Sequence, residues 1–154
     1  MKPTLVIGVG NSLMGDDGIG CYLAEQLAAD GRLPADTDVL CAGTDLLRCA
    51  GDMENRRRVV LIDATLGEGE PGVVAVYDAP PSEFEDRQRH AHHPSVVETF
   101  RLLQMTSPSL STVRFTLILI AIESANVRSE LSPALQARAP NILDRVLAAL
   151  QQSC

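Results

Sequence analysis

The chain has 154 residues, enough for one domain with a continuous core. Apolar residues make up 45% and charged residues 21%, an ordinary globular balance, whereas aromatics are only 3% and Trp is absent. The core must therefore be aliphatic, a stacking platform for bases or sugars is disfavoured, and the net charge of -7 opposes binding to phosphate backbones.

Residues 4–9 form a short β-branched run stopped by Gly10 and read as a buried strand. The run is too short, and too quickly followed by glycine, for a signal peptide. Residues 19–29 carry apolar side chains at helical spacing, closed by Gly31 and Pro34. A second strand is predicted over 38–42 and a short helix, interrupted by Gly51, over 46–53. Residues 59–62, VVLI, predict a fully buried strand running straight into Asp63. Another strand over 73–77 follows the turn residues Glu70-Pro71-Gly72. Residues 80–93 are polar, without periodicity, and read as a loop. A helix is predicted over 96–105 and the longest strand over 112–122. Residues 133–152 are helical, with Pro140 expected to kink the helix or divide it in two.

Strands alternating with helices predict an α/β fold with a mostly parallel sheet, in a single domain over 1–154. The longest apolar run, 115–122, is far too short to span a bilayer. No pair of the four cysteines, Cys21, Cys41, Cys49 and Cys154, has CxxC spacing. The first three lie beside apolar residues and read as buried reduced thiols, and Cys154 as an exposed one. These features give a cytoplasmic location as the expectation, without membrane or nucleic-acid partners.

In open α/β sheets, ligands bind beyond the carboxyl ends of the strands. The residues that follow the predicted strands are therefore the candidates. They are Gly8 to Gly18 with Asp16 and Asp17, then Gly43-Thr44-Asp45, then Asp63, then Glu123-Ser124. A dinucleotide fingerprint needs GxGxxG, and here Leu13 takes the third glycine's place while two acids stand where a phosphate would dock. Gly8 and Gly10 are then the glycines of a tight strand-to-helix turn, and Asp16 or Asp17 could simply cap the helix. Asp63, a carboxylate ending a hydrophobic strand, is costly to bury alone and must be a cap, an ion-pair partner or a ligand. All three histidines, His90, His92 and His93, fall within four residues. Loop histidines are commonly just solvated. Imidazole beside two carboxylates nevertheless makes a mixed N/O set suited to nickel, zinc or non-haem iron, with positions left open. No GxSxG or Cys-His arrangement signals a nucleophile.

Taken in order, these pieces resemble the [NiFe]-hydrogenase maturation proteases. The opening motif of that family appears as GVGNSLMGDDGIG, its glycine-threonine loop as AGTDLLRCAGDMENR, its buried strand as VVLIDA and its Glu-Ser strand as TLILIAIES. The helical end NILDRVLAAL also fits, so nearly the whole chain is covered. The resemblance implies a three-layer α/β/α fold, with a five-stranded, mostly parallel, twisted sheet and helices on both faces. It implies an endopeptidase that removes the C-terminal extension from the nickel-loaded large-subunit precursor of a [NiFe] hydrogenase. It also implies three positions that act in catalysis and touch the metal. The first falls on Asp17, six residues after Asn11, where many members carry Glu. The second falls on Asp63. The third falls on His92, with His93 the neighbouring choice; Pro94 departs from the family pattern there. Asp16, Gly43 and Thr44 would shape the cleft. The nickel would be carried by the substrate, with no permanent cofactor. Two other readings of the same residues are a non-catalytic metal-binding maturation chaperone and a flavodoxin-like nucleotide-binding module.

Overall fold

Five strands and four helices alternate along the chain in a computed structural model that describes residues 1–66, 69–78 and 96–152. The strands are β1 (Thr4–Val9), β2 (Thr37–Gly43), β3 (Arg58–Leu66), β4 (Val74–Tyr77) and β5 (Arg114–Ile122). The helices are α1 (Ile19–Ala29), the short α2 (Ala50–Met53), α3 (Val96–Thr106) and α4 (Pro133–Gln151), with 3₁₀ turns at Gly15–Gly18, Leu46–Cys49 and Pro108–Thr112. One sheet runs in the order β2-β1-β3-β5-β4, parallel except for β4, which pairs antiparallel with β5 at the edge.

Both faces of the sheet are covered, which is why its central strands read as unbroken apolar runs. Side chains alternate between the two cores. Leu5, Ile7, Val59, Leu61, Phe115 and Leu117 face Leu46, Met53, Val96 and Leu103, on the side of α2 and α3. Val6, Val60, Ile62, Ile118 and Ile120 face Ile19, Leu23 and Leu27 of α1 and Leu135, Ile142 and Val146 of α4. The three-layer α/β/α architecture follows from this division. Among the described residues no helix is long and apolar enough to cross a membrane.

Three expectations change. The helix over 133–151 is not divided at Pro140 but runs through it as one element, with Ala139 and Ile142 on either side buried. β3 does not stop before Asp63 but continues to Leu66, since β5 offers it partners as far as Ile122. Cys21 and Cys41 are not separate thiols: a disulfide joins α1 to β2, with Cα atoms 5.2 Å apart. Spacing in sequence hides this pair. β2 lies against β1 with Cys41 opposite Gly8, and α1 folds back over both strands, bringing Cys21 to Cys41. Cys49 remains a free buried thiol. Cys154 lies outside the described residues.

Candidate active site

The strand order changes direction at β1. The chain leaves β1 for β2 on one side and later returns as β3 on the other, and such a switch point opens a crevice at the carboxyl ends of the two central strands. The registers show where it opens. β1 pairs with β3 only as far as Gly8 opposite Ile62, whereas β3 and β5 stay paired to Leu66 opposite Ile122. A register shift between Gly8 and Val9 turns the end of β1 toward β2, and the Gly10 N–H donates to the Gly43 carbonyl at 2.8 Å. Asp63 is thus the first residue of β3 without a β1 partner. It belongs to the same alternation as Val59 and Leu61, so it stands on the α2/α3 side of the sheet.

The loop from Gly10 to Gly18 closes the crevice from the other side, and its glycines make that approach possible. A Cβ on Gly20 would stand 2.3 Å from the carbonyl oxygens of both Val9 and Ile62, and one on Gly8 would stand 2.3 Å from the Gly20 carbonyl. The first turn of α1 therefore wedges between the end of β1 and the middle of β3. Gly10 has φ of 139°, a conformation open to glycine, with the Asp17 carbonyl where a Cβ would be. These glycines are filled by the protein's own backbone and leave no approach for a pyrophosphate, which removes the basis for a nucleotide-binding module.

The two acids of the loop have different tasks. Asp16 is buried, and its Oδ1 accepts from the Ser132 N–H at 2.6 Å, tying the loop to the start of α4. It is a cap, as one of the pair was expected to be, but for α4 and not α1; the N-cap of α1 is Gly18, without a side-chain cap. Ser132 in turn caps α4, its Oγ accepting from the Leu135 N–H. Asp17 is half-buried, and its Oδ2 accepts from the Asn11 N–H at 3.0 Å. Asp63 is 9% exposed, and its Oδ1 accepts from the Ala64 N–H at 2.8 Å.

Burial pushes the Asp63 carboxyl up to about 7, and the negative charge of Asp17 adds to the rise, against the Ala64 N–H, which favours the ionised form. Two carboxylates within electrostatic reach of each other, one desolvated, are costly when both are ionised, and a cation between them would relieve that cost. Asp17 and Asp63, singled out in the sequence, thus lie near enough for the charge of one to act on the other. His90, His92 and His93 lie outside the described residues, and among the described residues no three His, Cys, Asp or Glu side chains gather. Gly43, with φ of 60°, and Thr44 lie on the loop after β2, whose Gly43 carbonyl holds Gly10. Glu123 and Ser124 follow β5 and are exposed. A separate cleft of about 540 Å³ opens beside the first loop, lined by Ser12, Gly15, Tyr22, Glu25, Glu130 and Gln136. Neither Asp17 nor Asp63 lines it.

Comparisons with known proteins agree with this fold. A family model described as hydrogenase maturation protease matches residues 21–149. The chain is 30% identical over 152 residues to the hydrogenase 2 maturation protease of Escherichia coli, covering 97% of this chain and 91% of that protein. Its fold matches the hydrogenase-maturating endopeptidase HybD of E. coli with a TM-score of 0.77 at 27% identity, covering 99% and 93% of the two chains. It matches the [NiFe] hydrogenase maturation protease HybD of Thermococcus kodakarensis with a TM-score of 0.79 at 27% identity, covering 97% and 99%. The family model over most of the chain, the relative matched along nearly its whole length and the shared α/β/α sheet place this chain among the hydrogenase maturation proteases, as an endopeptidase of that family.

Proposed function

We propose that this endopeptidase removes the C-terminal extension from the nickel-loaded large-subunit precursor of a [NiFe] hydrogenase, and that Asp17, Asp63 and His92 grip the nickel held by that precursor. The observation that carries the reading is the Asp17–Asp63 pair. It is an anionic site whose own charges oppose each other, built where the two central strands part. Backbone N–H groups of Asn11 and Ala64 each fix one oxygen of these carboxylates. Among the described residues the other oxygen of each has no hydrogen-bond donor, so it is available to a cation. Two carboxylates and one imidazole would suit nickel and leave positions open for the substrate's own ligands. A metal ion in such a place polarises a carbonyl or activates water. The protein's share is to hold the ligands rigidly and to keep the crevice narrow. His92 stands four residues before Val96, which begins α3 and packs in the core on Asp63's side of the sheet. That short separation in sequence from a residue of this core is what supports His92 as the third ligand.

The nickel belongs to the substrate in this reading, and the protease needs no resident cofactor. The reading also puts the reaction in the cytoplasm, where Cys41, exposed on β2, would bring the Cys21–Cys41 bond within reach of thiol reductants. The test is to mix the protein with nickel-loaded and nickel-free precursor and measure intact masses. The expected result is trimming of the loaded form only. Asp17→Ala, Asp63→Asn and His92→Ala should each abolish trimming with the circular dichroism spectrum retained, while His93→Ala should trim normally. Equal trimming of both precursor forms would remove nickel recognition from the proposal.

A further inference from the structure

Large apolar side chains left in water are not spread evenly over this protein. Among the described residues nine are exposed, and five of them border one edge of the sheet: Leu13, Leu47, Leu66, Val73 and Val127. Leu13 follows β1, Leu47 follows β2, Leu66 ends β3 and Val127 follows β5. Val73 precedes β4, and its carbonyl accepts from the Ala121 N–H near the carboxyl end of β5. Asp17, after β1, and Asp63, beyond the last β1 partner on β3, stand at this same edge. Single exposed apolar residues need no explanation, but a set that surrounds a site marks an interaction surface.

The two most exposed members of the set are also the best held. Leu13 is 67% and Val127 84% exposed. The Arg128 N–H donates to the Leu13 carbonyl at 3.1 Å, the Gly15 N–H donates to the Arg128 carbonyl at 2.9 Å, and Met14 and Arg128 form a parallel bridge. That short ladder sets Leu13 and Val127 side by side. Gly15, with φ of 60°, makes the turn that closes it. A pair of water-facing aliphatic side chains fixed by backbone hydrogen bonds has little freedom left to lose when a partner covers it.

We propose that this apolar rim, with Leu13 and Val127 as its anchors, is the docking surface for the folded body of the large-subunit precursor; the inference rests on the function proposed above. The rim and the acidic pair share one edge of the sheet, so a body that presents a metal to Asp17 and Asp63 approaches that edge. A metal already bound within the precursor is carried by a folded surface, and a broad, rigid, aliphatic rim fits such a surface. Rim contact sets affinity, and the acidic pair acts only once the rim is seated.

The test measures association and trimming separately, with the nickel-loaded precursor titrated against the wild-type protein, Leu13→Glu, Val127→Glu and the double variant. Met105→Glu is the control, because Met105 is 81% exposed but lies in the last turn of α3, on the stretch leading back to the amino end of β5. Each rim variant is expected to bind about ten-fold more weakly or worse while the trimming rate at saturating precursor holds within about two-fold. The control should match wild type in both. Rim variants that bind as wild type, or that lose rate with affinity unchanged, overturn the docking surface. A wild-type protein that binds the precursor through the rim but leaves its mass unchanged would overturn the proposed proteolysis and not the docking. Wild type that neither binds nor trims would overturn both.

Discussion

Asp63→Asn should make this protein more stable at neutral pH, and the size of the gain can be worked from the site. An ordinary aspartate ionises near 3.8, whereas burial and the Asp17 charge raise Asp63 in the folded state to about 7. Between those values the folded protein holds one proton more than the unfolded chain, so stability falls as pH rises through the window and levels off above it. The full difference amounts to about 4 kcal/mol against the folded state at pH 8. Asn at this position keeps the Oδ1 acceptor for the Ala64 N–H and carries no charge at any pH. Allowing for an imperfectly placed amide, the variant should exceed wild type by roughly 2–4 kcal/mol at pH 8, with the difference disappearing near pH 4. Urea unfolding followed by circular dichroism from pH 4 to 8.5, with a chelator present, measures it. Every other titrating group is common to the two proteins, so the difference isolates Asp63. A pH-independent difference, or a wild type that loses nothing between pH 5 and 8, would refute the argument. The same variant is expected to be inactive, so the site would hold a charge that function needs and folding opposes.

Two further outcomes follow from the packing. Gly20→Ala would gain about 1 kcal/mol of helix propensity but place a methyl group against the Val9 and Ile62 carbonyls, both backbone. A net loss of about 3 kcal/mol is expected in denaturant unfolding, with trimming lost as well because Asp17 moves with the helix; an unchanged midpoint would contradict the wedge. Reduction of Cys21–Cys41 frees a loop closed across a sequence separation of 20 residues and should cost about 3 kcal/mol, read as a lower urea midpoint in the presence of a dithiol, and equal midpoints would show that the bond restrains nothing.

The fold was legible because its cause is periodic. Runs such as VVLI announce strands buried on both faces, and every predicted strand and helix appears within a few residues of its expected place. What the runs cannot carry is pairing. Nothing local in the stretch after Asp63 says that β5 will extend the ladder to Leu66, nor that Cys21 and Cys41 meet. Both depend on which strands become neighbours. Asp16 shows the same limit. Its type and position suggested a cap, and the N-cap it holds, Ser132 of α4, lies 116 residues later in the chain.

The placement of Asp63 explains why the site combines rigidity with electrostatic tension. A carboxylate on a loop past the end of a strand could turn toward water and keep an ordinary pKa. Asp63 cannot, because β3 continues beyond it, paired with β5 through Leu119 and on to Ile122. Its freedom is removed on one side by that ladder and its surroundings are opened on the other by the departure of β1 toward β2. The glycine wedge at Gly20 then brings the first turn of α1, with Asp17 three residues before it, against the gap. Each step is a backbone constraint made by residues that carry no chemistry of their own. The electrostatic cost at Asp63 is thus imposed by the topology, and under the proposed function that cost is what a cation arriving with the substrate would relieve.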